Sequence, residues 1–159
     1  MNIQYKSAAT IHTTSNRFFS LNEGTYDLIF VDGLHLAEAC YADVKNALGC
    51  LNEGGVIVVD DLAPQKKSHQ TRTITDIHWT GDVWKSWFML AHELAETHEM
   101  FVVDVALGVG IIRKGKTEFN VPPLPSAFGW RYYCEHREEY HKMIPYSELC
   151  GRLCEKEKS

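Results

Sequence analysis

"YDLIFVDGLHLAEACYADVKNALGCLNEGGVIVVDD", Tyr26 to Asp61, is the stretch whose reading decides the fold. It opens on an apolar run, Tyr26 to Val31, that stops at Asp32, with Gly33 and His35 just beyond. It closes on a second run, Val56 to Val59, that stops at Asp60 and Asp61. Short apolar runs rich in β-branched and aromatic residues predict strands, and near-continuous ones predict strands buried on both faces. Between them Leu36, Ala39, Cys40, Val44, Ala47, Leu48 and Leu51 recur on one side at helical spacing, and "EGG", 53–55, supplies the stop. Strand, helix and strand in one short span form a βαβ unit, which implies parallel pairing.

Working outward, 8–15 reads as a short strand, and "NRFFSLN" as a short helix capped by Ser15 or Asn16. The polar, aperiodic stretch Leu62 to Gly81 is long enough to predict a functional lid. "DVWKSWFMLAHELAE" predicts a helix capped by Asp82, with Trp84, Trp87, Phe88, Ala91 and Leu94 on its core face. Its "HELAE" lacks the second histidine of a zinc-protease helix. "MFVVDVAL" and "GVGIIRKG" predict a hairpin. "VPPLP", 121–125, reads as a linker before a solvated helical tail. The division expected is an α/β unit over 1–118 and a Pro-rich linker with helical tail over 119–159.

The bulk numbers narrow the function. The chain has 159 residues, 45% hydrophobic and 23% charged, with a formal net charge of −5. That balance gives no footprint for nucleic acid. No apolar run is long enough to span a bilayer, so a cytoplasmic protein is expected. The five cysteines are odd in number and lack CxxC spacing, which predicts reduced thiols.

In an open parallel sheet, ligands bind beyond the carboxyl ends of the strands. Asp32, Asp60 and Asp61 are placed there, on strand ends about 5 Å apart if the strands are neighbours. Carboxylates that close repel one another unless a cation sits among them, and Mg²⁺ or another hard divalent ion suits oxygen donors. His35 follows on the same turn and suits a general base at neutral pH. Asp32 and Asp61 also suit helix or loop caps, and that reading stays open here.

As a set, the "DGLH" turn, the "LNEGGVIVVDD" block, the "GDVWK" segment and the closing "DVALGVGIIRKG" resemble a family. It is the class I S-adenosylmethionine (SAM)-dependent methyltransferases, in their second half, and in particular the metal-dependent macrocin-type small-molecule O-methyltransferases. The resemblance spans about residues 10–116. It implies a partial Rossmann-like sheet, mostly parallel, with an antiparallel C-terminal hairpin. It implies Mg²⁺ held by Asp32, Asp60 and Asp61, and His35 as proton acceptor. It implies SAM contacts at Thr14, Ser15 and Asp32, and a polyhydroxylated or sugar-like substrate. The family's glycine-rich SAM-binding turn has no counterpart before Tyr26.

The resemblance therefore implies a partial domain. Its open strand edge predicts a homodimer. Three functions compete: a metal-dependent O-methyltransferase, a non-catalytic remnant serving as a binding or oligomerisation module, and a hydrolytic use of the same carboxylates.

Overall fold

A computed structural model describes residues 11–117 and 120–154. The order is α1 (Ser15–Leu21), β1 (Tyr26–Val31), α2 (Ala37–Leu48), β2 (Leu51–Val59), α3 (Trp84–Leu94), β3 (His98–Asp104), β4 (Val109–Lys114), α4 (Trp130–His141), β5 (Ile144–Pro145), a 3₁₀ turn, and α5 (Leu149–Cys154). The strands form one sheet ordered β1-β2-β4-β3-β5. β1 and β2 pair in parallel, β4 is antiparallel to both β2 and β3, and β5 is parallel to β3. Only β4 therefore runs against the rest, and the expected mostly parallel α/β sheet with an antiparallel hairpin is present. The hairpin is not at the sheet edge, because β5 pairs outside β3.

The helix stop expected at "EGG" comes earlier. α2 ends at Gly49, and Leu51 already pairs with Tyr26. Gly54, at φ 77°, lies where the β1–β2 register shifts. A positive φ is costly for most side chains and cheap for glycine.

One face of the sheet carries the main core. Val31, Ile57, Val59, Met100, Val102 and Ile112 pack there against Val44 and Ala47 of α2, and against Trp84, Trp87 and Phe88 of α3. Each fully buried side chain of that size contributes roughly 1.5–3 kcal/mol. α4 joins the same layer, for Phe88 stacks on Tyr140 at 3.8 Å between centroids, and Tyr133 and Tyr140 are buried. The segment expected to be a solvated tail thus completes the core. Its many charges mask a stripe of large rings.

The other face is covered only in part. Phe101, Val103, Ile111 and Ile144 cluster there with Leu149 and Leu153 of α5. Arg113 fastens α5 by donating to the carbonyls of Arg152 and Leu153 and to Glu99 at 2.6 Å. That cover does not reach β1, where Leu28 is 64% and Phe30 57% exposed. The expectation of a strand buried on both faces fails here, because none of the described residues packs over that end of the sheet. The segment 3–10 lies outside the described residues.

Candidate functional site

The β1–β2 register sets Val31 opposite Val59, and Asp60 N–H donates to Val31 O at 3.1 Å. Both acidic turns therefore leave the sheet at one level. Asp32 Oδ1 lies 3.5 Å from His35 Nε2, and Asp61 Oδ2 lies 3.1 Å from the same nitrogen. One ligand atom from each of Asp32, His35 and Asp61 lies within 4.8 Å of the other two. Asp60 is not one of that trio. Its Oδ1 turns back to accept the Asp61 N–H at 2.9 Å, which steadies the turn on which Asp61 sits. Asp61 is held at φ 63°, a left-handed conformation uncommon for a residue with a side chain and concentrated at functional sites.

The first N–H of α2, on Ala37, is bound by Asp82 Oδ1 at 2.9 Å, not by Asp32. Asp82, expected to cap α3, instead crosses to α2, and its other oxygen meets Arg72 of the loop and Lys85 of α3. Thr14, rather than Ser15 or Asn16, caps α1 by accepting from Arg17 N–H.

His35 is fixed from above by the 62–81 loop. Its ring stacks on Trp79 at 4.7 Å and 16°, and its Nδ1 is 3.2 Å from Trp79 O. A carbonyl only accepts, so Nδ1 carries a hydrogen and Nε2 is the atom facing the carboxylates. Gly81, at φ 63°, permits this approach. A Cβ there would lie 1.7 Å from His35 O.

The electrostatics are those of crowded acids. Asp61 has its carboxyl pushed up to about 6, first by burial and then by Asp60 and Asp32, with His35 opposing. Burial likewise raises the carboxyl of Asp43, which the Ser15 hydroxyl opposes by hydrogen bonding. Asp43 joins two expected cofactor contacts. A Cβ on Gly33, next to Asp32, would lie 3.2 Å from Asp43 Oδ2, so Ser15 and the Asp32–Gly33 turn meet at this carboxylate.

Asp43 and Trp79 were not singled out in the sequence. Asp43 had a signal, as an acidic residue on the apolar stripe of α2 between Cys40 and Val44. Trp79 had none, since its loop carries no periodicity. His92 bonds Tyr140 Oη at 2.9 Å, and all five cysteines are free thiols.

Fold and site together define an α/β unit with carboxylates at the carboxyl ends of its parallel strands. Residues 3–62, which include both acidic turns, match a family described as a methyltransferase domain. No curated protein matches the chain. Among solved structures it is similar to an S-adenosylhomocysteine (SAH)-bound methyltransferase of Podospora anserina, at 25% identity and TM-score 0.48, over 66% of this chain and 47% of that one. It is also similar to an O-methyltransferase from Bacillus cereus in complex with SAH, at 14% identity and TM-score 0.40, over 63% of this chain and 46% of that one. The chain thus spans about half the length of the solved structures it matches. None of the helices among the described residues is long and apolar enough to cross a membrane.

Proposed function

We propose that this chain carries the metal and acceptor side of a SAM-dependent O-methyltransferase acting on a polyhydroxylated, sugar-like small molecule. The observation that carries the reading is the meeting of Asp32, Asp61 and His35 at the ends of two parallel strands, inside the segment that matches a methyltransferase domain.

The donor set fits a divalent cation. Two carboxylates converge on one point, and Asp61 is destabilised as an anion first by partial burial and then by its acidic neighbours. Asp32 and Asp61 would be the ligands, with Asp60 holding the turn. The SAM contacts proposed are Thr14, Ser15 and the backbone at Asp32, with Asp43 joining the last two. When bound, SAM supplies a methyl group on a sulfonium, and a divalent cation lowers the pKa of the hydroxyl to be methylated. The protein's part is to orient that hydroxyl and take its proton. His35 Nε2 is the proposed acceptor, because Nδ1 is committed to Trp79 O and a cation held by Asp32 and Asp61 would free Nε2 from their oxygens. Trp79 shields the ring from water on its stacked face.

Calorimetric titration with SAM, with and without Mg²⁺, tests this reading. Micromolar SAM binding that strengthens with Mg²⁺ is expected. A folded protein that releases no heat with SAM overturns it in favour of a non-catalytic binding module. A second copy of the chain is the proposed partner, docking on the exposed Leu28 and Phe30 of the β1 edge. A cytoplasmic setting suits the five free thiols.

A further inference from the structure

The 62–81 loop holds a second cluster of ligand-type side chains, apart from the carboxylates that face His35. His69, Asp76 and His78 each offer one ligand atom, and the three atoms lie within 4.8 Å of one another. The loop is built around His69. Its carbonyl accepts from Thr80 N–H at 3.0 Å, from Gly81 N–H at 3.1 Å and from the Thr80 hydroxyl, which ties the interior of the loop to its end at Gly81. Asp76 Oδ1 accepts the His78 N–H at 2.7 Å, which leaves Oδ2 facing His69 Nε2 at 3.9 Å. The two imidazoles lie face to face, 5.6 Å apart and 18° from parallel.

His69 itself points to a missing partner. It is 3% exposed, and its Nδ1 is buried without a hydrogen bond. The other ring nitrogen, Nε2, lies 3.9 Å from Asp76 Oδ2, beyond hydrogen-bond reach. Buried polar groups are normally partnered, and an orphan calls for an explanation such as an ion.

We propose that His69, Asp76 and His78 form a binding site for a divalent transition-metal ion of the Zn²⁺ class. Two imidazoles and one carboxylate are a borderline donor set that favours Zn²⁺ over the hard Mg²⁺ suited to Asp32 and Asp61. Three protein ligands leave a fourth position for water. Bonds of about 2.0–2.1 Å set neighbouring donors on a tetrahedral ion roughly 3.3 Å apart. Asp76 and His78 are both exposed, so rotation of their side chains closes the remaining distance onto the buried His69. His78 adjoins Trp79, so an ion here ties the residue stacked on His35 to the buried anchor of the loop.

The test uses the full chain, free of any affinity tag. Zn²⁺ binding is followed by calorimetry and Co²⁺ binding by visible absorption, in the wild type and three variants. One site is expected whose affinity falls by at least roughly tenfold in Asp76→Asn and in His78→Ala. Those residues are exposed, and melting curves verify that each variant folds. The same site is expected to survive in the double variant Asp32→Asn, Asp61→Asn. Unchanged affinity in both loop variants overturns the proposal. Loss of the site in the double variant also overturns it, by placing the ion among the carboxylates. So does a thiolate-to-Co²⁺ charge-transfer band, which assigns the ion to the cysteines.

Discussion

Asp61 shows how much one residue is asked to bear. It is held at φ 63°, is largely buried, and faces Asp32 and Asp60, with His35 Nε2 3.1 Å from its carboxylate. A cation bound there relieves that repulsion, and ligands that bind only the folded state stabilise it by mass action. Mg²⁺ at millimolar concentration is therefore expected to raise the melting temperature of the wild type and to leave that of Asp61→Asn unchanged. Scanning calorimetry of both proteins, with and without chelator, checks this. Equal responses to Mg²⁺ would place the ion elsewhere.

His141 gives a pH prediction of definite sign. It is buried, its Nε2 has no hydrogen-bond partner among the described residues, and its pKa is lowered to about 3, first by burial and then by Arg137. The unfolded chain takes a proton near pH 6.5, which the folded chain refuses until about pH 3. Its contribution to stability is thus fully present above about pH 6.5 and is lost as pH falls through that window, at up to about 1.4 kcal/mol per pH unit. His141→Phe keeps the ring contacts with Phe88 and Tyr133 and removes the proton. Urea melts between pH 7 and pH 4 should show a shallower acid loss in the variant, and parallel curves would refute the assignment.

At the scale of elements, the junction of α2, α3 and the loop depends on Asp82. Its buried carboxylate binds the first N–H of α2 and meets Arg72, which also grips Glu38 of α2. Removing an N-cap acceptor costs about 0.5–2 kcal/mol, and here Arg72 and Lys85 lose a partner as well. Asp82→Ala should lower stability by about 2 kcal/mol or more. It should also loosen the loop that carries Trp79, seen as faster amide exchange over 69–81. A drop in stability without faster exchange would separate the cap from the loop.

This junction also marks the limit of what the sequence discloses. The βαβ unit and the strand-end carboxylates are legible, because two apolar runs and the helical spacing between them place Asp32, Asp60 and Asp61 without knowledge of any neighbour. The roles of Asp82 and Asp60 are not, since a cap in sequence and a cap across 45 residues look the same. α4 was legible as a helix but not as core. In "WRYYCEHREEYH" the buried Tyr133, Tyr140 and His141 are diluted by charged residues, and Phe88 supplies their partner from a distant helix.

The whole molecule presents one unbalanced surface. Four of the five strands run one way, and α2, α3 and α4, with Phe19 of α1, cover one face, but α5 covers only the far side of the other. β1 is left at the sheet edge among the described residues, with Leu28 and Phe30 exposed on that bare face beside the half-covered Val56 and Val58. An apolar strand edge is a template for pairing with another chain, and exposed apolar patches mark association sites. Two copies that pair through β1 about a two-fold axis would extend the sheet and bring Leu28 and Phe30 of each against the other. An interface of that kind should bury more than about 1,000 Å² in total. Ile29 and Val31 face the core, so they are the wrong positions for testing association. Leu28→Lys with Phe30→Glu changes only the exposed face and leaves the core contacts in place. Sedimentation at micromolar concentration should give a dimer for the wild type and a monomer for this variant, with both folded by circular dichroism. A wild type that sediments as a stable monomer would leave no second copy on this face, and would refute the dimer.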